Sequence, residues 1–292
     1  MSWLQIEVVA TPATVAKLEE DAFSAGAVSV ALVSESDEPV LEPAPGEMPL
    51  WSTIRLQALV PLDVDLKALS ASMGAALDVR FVGEADWQAH ARSFAVDAVF
   101  ADRIHLRAPL ASGETYDASY LPLYLEPGLA FGSGSHPTTR MCLEWLAEHV
   151  REGSKVLDFG CGSGVLAIAA AIAGANVVGV DYDDQAVLAT RENAERNSVL
   201  DKITVMSLSE WQAAPHDGFD VVVANILAEP LRTLAMELTS ALKASGSIVL
   251  AGLLEDQSEH VKQAYAKKIA FEDDHVEEGW TRLVGEKLSP VS

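Results

Sequence analysis

Residues Asp158-Phe-Gly160-Cys-Gly162-Ser-Gly164 carry the first chemical signal in this chain. An apolar run, "KVLDF", leads into the glycines and an apolar helix pattern, "VLAIAAAIAG", leads out of them. That order places the turn at the carboxyl end of a parallel strand, where open α/β sheets bind ligands. Glycine lets the backbone approach such a ligand closely. A pyrophosphate site would read G-x-G-x-x-G against a helix N-terminus. Here the spacing is G-x-G-x-G, and an acid stands two residues before the first glycine. A carboxylate suits a cation, such as the ammonium of an amino-acid moiety, better than it suits a pyrophosphate. Asp181 closes the next apolar run, "NVVGVD", 21 residues after Gly160. At that spacing an acid accepts hydrogen bonds from both ribose hydroxyls. Gly160, Gly162, Gly164 and the two acids together favour a nucleoside that bears an amino acid, S-adenosylmethionine, over a dinucleotide or a purely structural turn.

Asn225 ends a later apolar run, "FDVVVANI", and faces the same crevice. Its side-chain carbonyl would hold a neutral target amine with its lone pair toward a methyl group; a turn-forming role is the alternative for an asparagine at a strand end. His136 stands in a second glycine-rich stretch with no carboxylate partner evident, which favours a structural loop histidine over a general base. Cys142 and Cys161 are the only cysteines and belong to no C-x-x-C pair, so neither a disulfide framework nor a metal is expected.

These residues need a scaffold, and hydrophobic periodicity supplies one. From residue 154 strands alternate with helices of ten or more residues: "KVLDF", a helix over 164–173, "NVVGVD", a helix over 184–197, "ITVMS", "FDVVVANI", a helix over 229–243, and "GSIVLAG". Such alternation implies a mostly parallel α/β sheet with helices on both faces. The stretch "AFEDDHVEEGWTRLVGEKL" reads as two strands joined by a turn, an antiparallel close to that sheet. The first 85 residues read βαββαβ, the split ferredoxin-like α+β pattern, with Val15, Leu18, Ala22 and Phe23 as the stripe of a helix that stops at Gly26. Residues 86–126 have mixed periodicity, with a short helix and the strands "RIHLRAP" and "YLPLYLEP", and join the two halves.

A chain of 292 residues with 49% apolar side chains is long enough for two domains. Its formal charge of −23 argues against naked nucleic acid as the main partner and would attract a basic protein, although acidity also serves solubility alone. No apolar run is long enough to span a membrane, and the start "MSWLQIEVVA" lacks the pattern of an export signal, so a cytoplasmic protein is expected.

The blocks "EPGLAFGSGSHPTT", "DFGCGSG", "VGVDYDDQAV", "ENAERN" and "VVANILAEPL", with the opening "WLQIEV…EDAFSAGAVSV", run along nearly the whole chain. In them the chain resembles the bacterial PrmA-type lysine methyltransferases of the eleventh large-subunit ribosomal protein. The resemblance implies a class I S-adenosylmethionine-dependent methyltransferase, Rossmann-like with an antiparallel end strand. It implies a substrate-recognition domain over 1–85, a linker region over 86–126 and a methyltransferase domain over 127–292. It places Thr139, Gly160, Asp181 and Asn225 on methyl-donor-binding positions and folds the loop 127–139 over the donor, with Phe131 and Thr139 touching it. It implies methylation of lysine side chains, and of an N-terminal amine, on a basic ribosomal protein by a monomer. Asn225 and the backbone carbonyls of Ile226 or Leu227 would orient the amine. "DWQAHARSFAVDAV" departs from the family pattern. The same fold acting on another protein or a small amine, a methyl-donor-binding assembly factor without catalysis, and a nicotinamide-dependent oxidoreductase are the competing readings.

Overall fold

The computed structural model describes residues 3–27, 29–34, 54–82, 96–107, 117–125, 134–213 and 217–289. The chain divides into two units, Met1–Ser93 and Phe94–Ser292.

In the first unit, period-two alternation sends Ile6, Val8 and Ala10 of β1 (Trp3–Ala10) and Ile54, Leu56, Ala58 and Val60 of β3 (Ile54–Val60) to one buried face. With β2 (Ser29–Ser34) and β4 (Asp78–Val82) they form an antiparallel sheet in the order β2-β3-β1-β4. Two helices, α1 (Val15–Ser24) and α2 (Leu66–Met73), complete βαββαβ, the ferredoxin-like arrangement. Asp65 starts α2 by accepting from the N–H groups of Lys67 and Ala68, and Gly74 ends it at φ 64°. One expected core residue is not there. Val15, Leu18 and Ala22 are buried, but Phe23 is exposed, because at 100° per residue it falls about 80° outside the stripe the other three make.

The second unit opens with a small sheet of β5 (Ala98–Phe100), β6 (Ile104–Arg107) and β7 (Leu121–Tyr124). Phe100, Ile104, Leu106 and Leu123 share a core with α3 (Pro137–His149). The guanidinium of Arg103 donates to the carbonyls of Ala147, Val150 and Ala173, helix-end acceptors with no partner inside their helices. The strands expected in the joining region thus pack as part of the second unit. The helix expected before them lies outside the described residues.

The main sheet has β8 (Lys155–Phe159), β9 (Asn176–Asp181), β10 (Ile203–Ser207), β11 (Phe219–Asn225) and β12 (Leu242–Leu254) in parallel. The order is β10-β9-β8-β11-β12, followed by antiparallel β15 (Trp280–Lys287) and then β13 (Ile269–Phe271). β14 (His275–Glu277) pairs with β15 across the turn at Glu278 and Gly279. Along β11, Val221 and Val223 belong to the core shared with α3, α4 (Val165–Ile172) and α5 (Asp184–Arg196), while Val222 and Ala224 belong to the core beneath the opposite helices. Two details differ from expectation. A short α6 (Leu208–Gln212) starts on a Ser207–Glu210 capping box. The single helix over 229–243 is instead α7 (Ala228–Thr233) and α8 (Ala235–Ala241), interrupted at Leu234; Thr233 beside it donates its hydroxyl to the Glu229 carbonyl, a bond that bends helices. α9 (Ser258–Tyr265) completes that face.

Strand order reverses between β8 and β11, since β9 and β10 run off on one side and β12 on the other. The carboxyl ends at that point carry Phe159, Asp181 and Asn225. A crevice there is the expected binding place of an open α/β sheet.

Candidate ligand-binding site at the strand ends

The chain leaves β8 at Phe159 and enters α4 at Val165 through a turn whose glycines all have positive φ: 80° at Gly160, 55° at Gly162 and 82° at Gly164. Side-chain-bearing residues disfavour that region. The turn is also fixed by bonds. Gly160 and Cys161 N–H groups donate to the Val180 carbonyl at 2.7 and 3.0 Å. Thr190 Oγ1 donates to the Gly162 carbonyl at 3.0 Å, and Asn193 Nδ2 donates to that of Ser163 at 2.9 Å.

Asp181, nearly buried at the tip of β9, accepts from the Gly162 N–H at 2.9 Å through Oδ2 and from the Asp183 N–H at 3.0 Å through Oδ1. The strand-end acid and the glycine turn are thus one rigid piece. Each carboxylate oxygen retains a lone pair for a hydroxyl in the cavity.

Asp158 lies elsewhere. The sequence places it beside the ligand's ammonium; the structure sets it one layer back, buried, with Oδ2 accepting the Ala167 N–H of α4 at 2.9 Å. The helix's unpaired first-turn donors explain the exchange of roles, since a carboxylate at a helix N-terminus satisfies one of them. Its Oδ1 is buried without a partner among the described residues. Burial pushes the Asp158 carboxyl up to about 7, against the lowering bond from Ala167 and with a further rise from Asp181. Between about pH 4 and pH 7 the folded protein holds this proton and the unfolded chain does not, so stability falls as pH rises through that window. Asp158→Asn is therefore expected to gain about 2 kcal/mol on the wild type between pH 5 and pH 8 in urea denaturation. Parallel pH profiles for the two proteins would refute the burial of an uncompensated charge.

α3 brings Thr139 to the other side of the crevice. Pro137 takes its first position and His136 caps it: ring Nδ1 accepts from the Thr138 N–H and lies 2.7 Å from the Thr138 hydroxyl. The His136 ring stands edge-on to Trp280 at 4.6 Å. Burial first, and then Arg140, holds its pKa below the usual imidazole value, so a neutral ring serves the helix end. Asn225 Nδ2 donates to the fully buried Thr139 hydroxyl at 3.2 Å, which fixes the amide plane. The other amide atom, Oδ1, is buried with no partner among the described residues.

Thr139, Gly160, Gly162, Asp181, Asn225, Ile226 and Leu227 line one cavity of about 1110 Å³. Gly164 and Asp158 support its wall without lining it, and Phe131 lies outside the described residues. Thr190, Asn193 and Trp280 were not singled out from sequence as functional. The block "ENAERN" contained the signal for Asn193, since a helix facing a ligand turn needs a polar group to hold the turn's carbonyls. Trp280 reaches the cavity from the terminal hairpin and had no local signal.

The family model described as "Ribosomal protein L11 methyltransferase (PrmA)" matches residues 2–288. A "Ribosomal protein L11 methyltransferase" of Hahella chejuensis is 39% identical over 295 residues, covering 99% of each chain. One of the same name from Pseudomonas putida (strain W619) is 39% identical over 98% of this chain and 100% of its own. The crystal structure of a ribosomal protein L11 methylase from Lactobacillus delbrueckii subsp. bulgaricus superposes with a TM-score of 0.58 at 29% identity, over 64% of this chain and 95% of that one.

Proposed function

This chain belongs to the ribosomal protein L11 methyltransferase (PrmA) family, and we propose that it transfers methyl groups from S-adenosylmethionine to lysine amines, and to the N-terminal amine, of that ribosomal protein. It has the class I S-adenosylmethionine-dependent methyltransferase fold. The observation that carries the finer reading is the pairing, in one cavity, of a nucleoside-type grip with a buried acceptor, Asn225 Oδ1, that has no partner among the described residues.

The residues present fit the methyl donor. Asp181 offers its remaining lone pairs to ribose hydroxyls, the glycine turn gives close backbone approach, and Thr139 holds Asn225 at the far side. The donor, when bound, supplies a sulfonium methyl that is already a good electrophile. What this chain adds is placement: Asn225 Oδ1 accepts an N–H from the substrate amine and turns its lone pair toward the methyl, with solvent held out. The proton displaced on nitrogen passes to water. No dedicated base is required, and His136 is engaged in capping α3. One acceptor suits the amine and its monomethyl form, which keeps an N–H; a neutral dimethyl amine has none and would be placed by the cavity walls alone.

Residues 1–85 are proposed to dock the substrate. The first 90 residues hold 14 acidic and 4 basic side chains, a surface that speeds encounter with a basic protein.

Labelled methyl transfer to purified large-subunit proteins, followed by mass spectrometry of the labelled chain, tests the reading. Label on lysines of the L11 protein is the expected result; donor binding with no label on any protein would leave the non-catalytic assembly factor instead. For Asp181→Ala, calorimetry is expected to show methyl-donor affinity weaker by about 2 kcal/mol, from lost hydrogen bonds to a charged acceptor. Unaltered affinity would remove the ribose role.

A further inference from the structure

Ile226, the residue after Asn225, is held between two glycines, one in the turn after β8 and one in β12. The missing Cβ of Gly160 would lie 2.3 Å from Ile226 Cγ2. The missing Cβ of Gly252, in β12 at φ 90°, would lie 2.4 Å from the Ile226 carbonyl oxygen, 2.8 Å from its carbon and 3.0 Å from its nitrogen. Any side chain at either glycine must displace Ile226. Its side chain therefore rests on the methyl-donor turn, and its peptide rests on β12. Asn225 pairs with Ala251 directly before this contact, and the β12–β15 register shifts between Leu250 and Leu253 around it. Gly160, Ile226 and Gly252 all line the cavity.

We propose that Ile226 is a spacer that fixes the distance between the methyl-donor turn and the amine-holding Asn225, and that Gly252 is the positioning residue that seats it. The inference rests on the methyl-donor and Asn225 roles proposed above. In-line displacement needs nitrogen and methyl carbon at about 3 Å, and a misplacement of about 1 Å costs about a hundredfold. A residue wedged between the two half-sites sets that distance. The two seats differ chemically: against Gly160 the obstacle is a methyl group that substitution can remove, whereas against Gly252 it is a peptide that substitution cannot trim.

That difference makes the test. Gly252→Ala is expected to lower turnover on the L11 protein about a hundredfold, with S-adenosylmethionine affinity and stoichiometry by calorimetry within about threefold of wild type. Ile226→Ala, which leaves both glycines unstrained, should lower turnover about tenfold with the same preserved binding. Gly160→Ala should weaken methyl-donor binding, and adding Ile226→Ala should recover part of that affinity but not the turnover; adding Ile226→Ala to Gly252→Ala should recover neither rate nor spacing. Should Gly252→Ala fail to fold, Ile226→Ala decides alone. Wild-type turnover in Ile226→Ala, or a loss of turnover matched by an equal loss of binding stoichiometry, overturns the proposal. The reading beneath it fails differently, through full turnover in Asn225→Ala.

Discussion

Asn225→Ala is expected to lower turnover on the L11 protein by about 10² to 10³-fold, with a smaller loss of methyl-donor affinity. The size follows from what the side chain does. An amine in water directs its lone pair anywhere, and a reactive encounter needs one direction. Asn225 Oδ1 is buried and without a partner among the described residues, which costs folding free energy that a bound N–H would offset. The amide cannot turn to relieve this, because Nδ2 is committed to Thr139 Oγ1 at 3.2 Å. Alanine removes both the acceptor and the lock on Thr139. Asn225→Asp separates charge from shape: a carboxylate at that position favours the ammonium form of the amine, so the rate should rise at higher pH than in the wild type. Steady-state rates across pH for the three proteins check both statements, and full turnover in the alanine variant would remove the amine-holding role.

Asn225 was legible from its place at the end of "DVVVAN", and Asp181 from its interval after Gly160, because strand periodicity fixes which residues reach the carboxyl edge of a parallel sheet. Asp158 shows where that reasoning stops. Its spacing from the glycines is the same whether its carboxylate faces the ligand or the first turn of the following helix, and only the packed position of α4 decides. Thr139 and Asn225 stand 86 residues apart, so no local pattern announces their bond. Gly252 is similar: a lone glycine near a strand's end is unremarkable until the peptide of Ile226 is found against it. Phe23 failed for a simpler reason. Adjacent apolar residues near a helix end cannot both lie on one narrow stripe, and Ala22 took the buried place. Element types along the parallel half were readable because both faces of the central strands β8 and β11 are buried; the break at Leu234 was not, since the apolar periodicity runs through it.

Gly164→Ala is expected to lower unfolding free energy by about 2 to 5 kcal/mol, combining about 1 to 2 for a side chain at positive φ with about 1 to 3 for overpacking. At Gly164, with φ 82°, the new Cβ would lie 2.8 Å from Thr190 Cγ2, 3.0 Å from its Oγ1 and 3.1 Å from its Cα. Thr190 is fully buried, and its hydroxyl donates to the Gly162 carbonyl. Neither its branched side chain nor its backbone can yield without moving α5, and moving α5 loosens the glycine turn that Asn193 also holds. Methyl-donor affinity should therefore fall with stability. Gly153→Ala is the matched control: φ is 80°, but nothing lies within 4 Å of the new Cβ, so only the backbone cost of about 1 to 2 kcal/mol remains and the ligand is bound as before. The difference between the two alanine variants in urea denaturation isolates the contact with Thr190. Equal losses would mean that backbone conformation alone, and not the close approach of α5, makes glycine necessary at the third position of the turn.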